Sequence, residues 1–486
     1  MDPERMFGAV LGPSGGGPED DDAERRSSAQ SAERLDCRPA AVLLSRAMSE
    51  KRHRQQQGRQ RRKAQGRSRS SGTTGGPRPP VAREADLALV ELLAGMAEIA
   101  ARDADEPADA LEAEQWASML IGTWHVRPMP GEDVESLFFP GFVDALEELG
   151  TAPALATLRT LATVGAPDNA RRARTAADRL AADGLPEPPW AEGVERARPT
   201  AAALVSEEAF DDGLSVMVEY AGPGCEPHTV GIYIDHNLGG LVKDVFLAGP
   251  LSEIRGQFNR HAPNQVGLVI RDLDLAEARA RVEAALYMLD HTHDPPVNAD
   301  VRSLRAVVDA RLRLLPDGYE VADDYDEVSP EERDALLGDF LGSPEGQRWR
   351  GDEDAEDVVR LAIDFGAGYN HGGPLRWSPV VVEIFMTSWL ARKVIREPEL
   401  FTRVPDVLRD WVKYAGHRQG VPSAPLREAV AAVNHYRREM LDAVSDSEAW
   451  GPAKAFAVAA LDAGVDLTDH AEVERFMARY NDGLTA

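Results

Sequence analysis

A chain of 486 residues is long enough for two to four compact units, because single hydrophobic cores rarely grow past ~250–300 residues. A hydrophobic share of 43% can fill such cores. Eighty-two acids against 54 bases leave a formal charge of −28, which repels nucleic acid and anionic membranes on average and argues against a polyanion-binding surface over most of the chain.

Only two cysteines occur, Cys37 and Cys225, far apart in sequence. That usage speaks against a disulfide framework or a cysteine zinc site. The early apolar stretch "AAVLLSRAM" is short and carries Arg46, so it does not read as a secretory signal. The apolar run "VVVEIFMTSWLA" contains Glu383 and falls short of the ~18–20 residues of a membrane span. The expected setting is a reducing cytoplasm, with no membrane partner.

Residues 1–82 are rich in Gly, Ser, Arg, Gln and Asp and poor in large apolar side chains. Such a stretch cannot bury enough surface to offset chain entropy, so disorder is expected. Within it, "KRHRQQQGRQRRKAQGRSR" (51–69) places nine cations with no acid: Lys51, Arg52, Arg54, Arg59, Arg61, Arg62, Lys63, Arg67 and Arg69. A loose cationic arm of this kind can neutralise phosphates, and without interleaved aromatics it would do so with little regard to base sequence. It could equally fold back on its own acidic body or meet an acidic protein.

Residues 84–195 read as a helical region. "LALVELLAGMAEIA" and "EAEQWASMLIGTW" carry apolar residues at three- and four-residue spacing. "VESLFFPGFVDALEELG" is expected to break at Pro140 and stop at Gly150. A helical pair follows over 154–184, and "LPEPPW" (185–190) reads as a linker.

Between 200 and 316 the pattern changes to an α+β unit. "LSVMVEY", "TVGIYID" and "LVKDVFLAG" are strand-like and separated by turn residues, which suggests an antiparallel β-meander. A short helix at "LSEIRGQF", a buried-looking strand "VGLVI" and a helix capped by Asp274 complete a β-β-β-α-β-α order. An acidic linker ("DGYEVADDYDEVSPEER") leads into a second helical region, counted as 325–486. There Ser378-Pro379 is a helix start, and a stripe of Val404, Val407, Leu408, Trp411 and Val412 marks a helix ending near Gly416. The connection after that helix reads as too long and proline-interrupted for a helix-turn-helix. The expected fold is mainly α with a central α+β domain, flanked by helical regions and preceded by a disordered N-terminus.

The chemistry-bearing stretch is "YIDHNLGGLVKD" (233–244). A two-residue turn on Gly239-Gly240 sets His236 against Lys243 and Asp235 against Asp244, while Asp235 and His236 point to opposite faces. Two facing carboxylates repel by roughly 0.2–1 kcal/mol unless compensated by a cation, a shared proton or an arginine. Two readings stay open: solvated groups at a hairpin end, or an open site of Asp235, Asn237 and Asp244, with His236 and Lys243, for a polar ligand. No cofactor is called for, and a divalent cation is the one ion this pattern would admit. The loop "YNHGGPLRW" (369–377) offers His371 and Arg376 as secondary candidates, and "DHTHD" (290–294) reads as a helix end. No phosphate-loop, dinucleotide, serine-hydrolase or zinc-protease motif occurs.

"YIDHNLGGLVKD" and "LRWSPVVVEIFMTSWLARKV" (375–394), together with the basic lead-in after Met48, resemble segments of a family of conserved actinobacterial proteins to which no activity is attached. The resemblance spans most of 48–486. It implies a cytoplasmic bacterial protein and transfers no catalytic residue. The reading that follows is an interaction protein whose cationic arm takes an anionic partner, RNA or DNA or an acidic protein. The rival is an enzyme or a ligand or metal sensor built on the hairpin carboxylates.

Overall fold

The computed structural model describes residues 80–103, 107–125, 134–194, 196–207, 209–261, 267–292, 295–321, 328–370 and 372–484. The chain before residue 80, including the 51–69 arm and Cys37, lies outside the described residues. Among the described residues five helices come first: α1 (Pro80–Asp103), α2 (Ala110–Gly122), α3 (Val134–Leu149), α4 (Ala152–Val164) and α5 (Pro167–Ala182). Asp109 and Thr151 cap α2 and α4 by accepting from backbone N–H groups of their first turns. The helices close on a core that includes Trp124, Phe139, Phe142, Leu155 and Leu161.

Helix α3 does not break at Pro140. A proline there removes one backbone bond, but Phe138, Phe139, Phe142, Val143 and Leu146 are all buried around it and outweigh that loss. Gly141 helps, since a Cβ at that position would stand 2.7 Å from Leu93 Cδ1 of α1. The 185–190 stretch is not a free linker either: Trp190 is buried in this first core.

The central sheet is antiparallel, with five strands in the order β4-β3-β2-β1-β5. They are β1 (Arg198–Glu207), β2 (Gly213–Gly222), β3 (Cys225–Asp235), β4 (Leu241–Ala248) and β5 (Leu268–Asp272). Strand β1 went unread because "RPTAAALVSE" is dominated by alanine, a poor strand former; burial of Ala202, Leu204 and Val205 supplies what propensity lacks. The buried-looking "VGLVI" forms edge strand β5, paired to β1 and only half covered. Helix α6 (Leu251–His261) covers one face through Leu251, Ile254 and Phe258. Helix α7 (Leu275–His291) covers the other through Ala278, Val282, Leu286 and Leu289, and Asp274 caps it as expected.

Helix α8 (Ala299–Leu312) was not foreseen, and it splices two cores. Val301, Val308 and Leu312 pack under the sheet, whereas Ala306 and Val307 belong to the first bundle. Its Arg311 forms a buried ion pair with Glu114 of α2, and its Arg311 carbonyl accepts from Tyr220 Oη at 3.1 Å.

The C-terminal helices begin with α9 (Pro330–Gly342), where Ser329 and Glu332 form a capping box, so the acidic linker ends earlier than its charge pattern suggests. After α10 (Glu353–Tyr369), the Ser378-Pro379 start opens α11 (Pro379–Glu383), which passes through a π-helical segment (Ile384–Trp389) into α12 (Leu390–Lys393). Helix α13 (Pro398–Gln419) buries the predicted stripe completely but runs past Gly416 to a left-handed Gly420. Gly416 serves packing instead, because a Cβ there would meet Leu426 Cδ1 at 2.4 Å. Only residues 420–422 separate α13 from α14 (Ser423–His435), a shorter connection than the sequence reading allowed. Helices α15 (Arg437–Ser445), α16 (Pro452–Asp462) and α17 (His470–Leu484) complete the chain. The fold is thus mainly α with a central α+β unit. Among the described residues no helix is long and apolar enough to cross a membrane.

Trp411 is fully buried against Phe340 and Tyr414, whereas Met477 is 44% exposed. Trp411→Ala is expected to cost ~3–5 kcal/mol of unfolding free energy in a denaturant titration. Met477→Ala should stay within ~0.5 kcal/mol of the parent in the same titration.

Candidate functional site at the hairpin tip

The hairpin that carries the sequence candidates is built differently from the two-glycine turn. Strand β3 ends at Asp235, and His236–Leu238 form one turn of 3-10 helix. Gly239 and Gly240 follow with φ of 78° and 77°, a left-handed conformation that only glycine adopts freely. Gly240 N donates to Asp235 O at 3.0 Å and closes a five-residue loop. Pairing therefore runs Asp235 to Leu241 and Ile234 to Val242, then slips, so that Tyr233 opposes Asp244 and Lys243 sits in a bulge. The expected facing pair of Asp235 and Asp244 does not exist, and neither does the pairing of His236 with Lys243. The bulge wins because it keeps Ile234, Leu241, Val242 and Val245 buried while freeing Lys243 to reach an acid.

That acid is Asp235. Its carboxylate takes Lys243 Nζ at 2.6 Å and the N–H of Asn237 at 2.8 Å. Asp244 turns elsewhere, accepting from Val245 N at 2.8 Å and from the Asn298 side chain at the start of α8. Burial pushes its carboxyl up to about 6, and the two hydrogen bonds only partly offset this. His236 is buried, with Nδ1 2.9 Å from the Asp211 carbonyl and 3.3 Å from Asp211 Oδ1. Asp235 and His236 thus serve different partners, in keeping with their opposite faces.

The loop before α11 reaches this same tip. Arg376 is 6% exposed. Its Nη1 donates to Asp212 Oδ1 at 2.7 Å, and its Nη2 donates to Asn237 Oδ1 at 2.9 Å and Asn370 Oδ1 at 2.5 Å. Asn370 locks the loop by donating to the Arg376 carbonyl at 2.7 Å and to Gly373 O at 3.1 Å. Ser378, which caps α11, also hydrogen-bonds the Asp212 carboxylate. Phe210, two residues before Asp212, is buried in the core of the C-terminal helices. Two candidate stretches read separately from sequence therefore meet in one network, through Asn237 and Arg376.

Other candidates do not join it. His371 and His293 lie outside the described residues. His291 is the last residue of α7 and holds the Tyr287 carbonyl at 2.7 Å. Sequence reasoning missed Asp211, Asp212 and Asn370. The signal for the first two was "DDG" (211–213), a turn signature that makes sense only once β1 is recognised before it.

Chemically the network is closed. Guanidinium, carboxylates and amides engage one another, and among the described residues no group of three or more His, Cys, Asp or Glu side chains is placed to hold a metal ion. An open cleft of about 620 Å³ lies beside Gly372, Pro374 and Leu375, walled by Val328, Leu336 and Glu332, and neither Arg376 nor the hairpin residues line it. The chain matches no family model, no curated protein and no solved structure. What the fold and site define is a polar joint between a sheet and a helical region.

Removing the cation from a buried, multiply bonded pair leaves its partners uncompensated. Arg376→Ala should cost ~3–5 kcal/mol in chemical unfolding, and Asn237→Ala less, ~1–2 kcal/mol. Asp244 has its folded pKa raised above the ordinary value, so its neutral form is the stabilising one. Stability should fall as pH rises from about 4 to about 6, and Asp244→Asn should flatten that limb of the profile.

Proposed function

We propose that this is a non-enzymatic interaction protein of the bacterial cytoplasm that engages nucleic-acid backbone through its 51–69 arm. The observation that carries the reading is charge segregation along the chain. Residues 1–83 hold 17 bases and 10 acids, and the remainder holds 37 bases and 72 acids, a net of −35. A polyanion is repelled by that body and attracted to Lys51, Arg52, Arg54, Arg59, Arg61, Arg62, Lys63, Arg67 and Arg69. The lack of aromatic residues between them favours contact with phosphates over stacking on bases. The closed network around Arg376 supports the non-enzymatic part of the reading, because its polar groups are spent on one another.

Fluorescence anisotropy with mixed-sequence RNA and duplex DNA tests this on the full chain and on a variant lacking 51–69. The full chain should bind both with similar affinity and lose at least ~100-fold between ~50 and ~200 mM salt, and the deletion variant should lose binding. Unchanged binding after deletion would refute the reading. A full chain that binds neither polymer at low salt leaves the arm to its own acidic body or to an acidic protein, and refutes it equally.

A further inference from the structure

The joint between the sheet and the C-terminal helices contains three ion pairs: Arg376 with Asp212, Lys243 with Asp235, and His236 with Asp211. The first two pair an arginine and a lysine, each with a carboxylate. The third depends on whether the His236 imidazole holds its second proton. We propose that His236 makes this joint a proton-operated lock: protonated, it adds an ion pair with Asp211 to its hydrogen bond on the Asp211 carbonyl and the 210–212 loop is held tightly for docking of the C-terminal helices; neutral, it keeps only the hydrogen bonds and the docking loosens.

The geometry places His236 at the right point. Its ring meets Asp211 twice, at the carbonyl and at Oδ1, and its backbone N–H donates to the Asp212 carbonyl at 2.9 Å. The loop held this way carries the two groups that reach the C-terminal helices, the Phe210 side chain in their core and the Asp212 carboxylate on Arg376. Asp211 itself has a φ of 53°, a strained value for a residue with a side chain, so the loop keeps its shape only while its contacts hold. The charged groups facing His236 are Asp211 from the loop between β1 and β2 and Arg376 from the loop before α11. Asp235 and Lys243 complete the neighbourhood from the hairpin and neutralise each other.

The sign follows from those neighbours. Burial by itself would lower the imidazole pKa and Arg376 opposes the charged form, but the hydrogen bonds and charge of Asp211 override both and lift it above its ordinary value. A histidine raised in the folded state contributes stability that is complete below pH ~6.5 and disappears as pH climbs through the folded value. The lock is therefore closed in mild acid and open in mild alkali. Asp244 belongs to the contact with α8 and not to the 210–212 loop, so Asp244→Asn leaves the effect of His236 in place.

Hydrogen-exchange mass spectrometry at pH ~6 and ~8, corrected for intrinsic exchange rates, reads the lock directly. Segments 209–213, 235–243 and 372–378 should lose protection at the higher pH, while core segments 155–161 and 404–412 stay level. His236→Gln should show the low protection at both pH values. Asp211→Asn, at a side chain 60% exposed and so safe for folding, should do the same and lower the His236 pKa measured by NMR. Flat protection in the parent, unaltered pH dependence in either variant, or a parent His236 pKa below ~6.5 would each overturn the proposal.

Discussion

A guanidinium taken out of water has to be met by acceptors, and the position of the C-terminal helices follows from that requirement. Arg376 is desolvated far enough for burial to pull its pKa down, and it is held by one carboxylate and two amide oxygens from three separate segments. No single segment could satisfy it. The loop after β1, the hairpin tip and the 370–376 loop have to arrive together, with Phe210 delivered to its apolar socket at the same time. Docking of this kind stabilises modestly in net terms, because desolvation cancels much of the attraction, but a misplaced register leaves a buried charge unpaired at a cost of several kcal/mol.

The other joint in the molecule follows the same logic. Helix α8 sits between the first bundle and the sheet, and its Arg311 is paired with Glu114 across that boundary while its guanidinium lies over the Tyr220 ring. Apolar burial is non-directional and would accept many rotations of one core against the next. A buried arginine with fixed acceptors accepts one. The three packed regions of this chain thus take their mutual placement from two arginines and their bulk stability from separate apolar clusters.

Charge is also divided along the sequence, with the acidic excess lying beyond residue 83. Among the described residues, Arg159 of α4, Arg172 and Arg179 of α5, Arg281 of α7 and Arg305 of α8 are each paired with an acid at the surface. The excess acid then acts outward. Against that acidic balance the proposed contact with phosphate falls to the cationic run at 51–69.

Much of the architecture was legible in the amino-acid order. Apolar spacing marked the helices of both flanking regions, Asp274 announced the cap of α7 in the central unit and Ser378 that of α11, and the three strongest strands stood out by β-branched content. Helix α8 and strand β1 were not legible, because each takes its place from neighbours distant in sequence. The same division runs through the site. Local sequence determined that Asp235, His236, Asn237 and Lys243 would crowd a glycine turn and that Arg376 would follow another. That Asp235 takes Lys243 and leaves Asp244 alone was decided by a bulge that keeps an apolar row covered. That Arg376 closes on Asp212 and Asn237 was decided only when the regions packed, since a charge finds buried partners after the chain has excluded water around it.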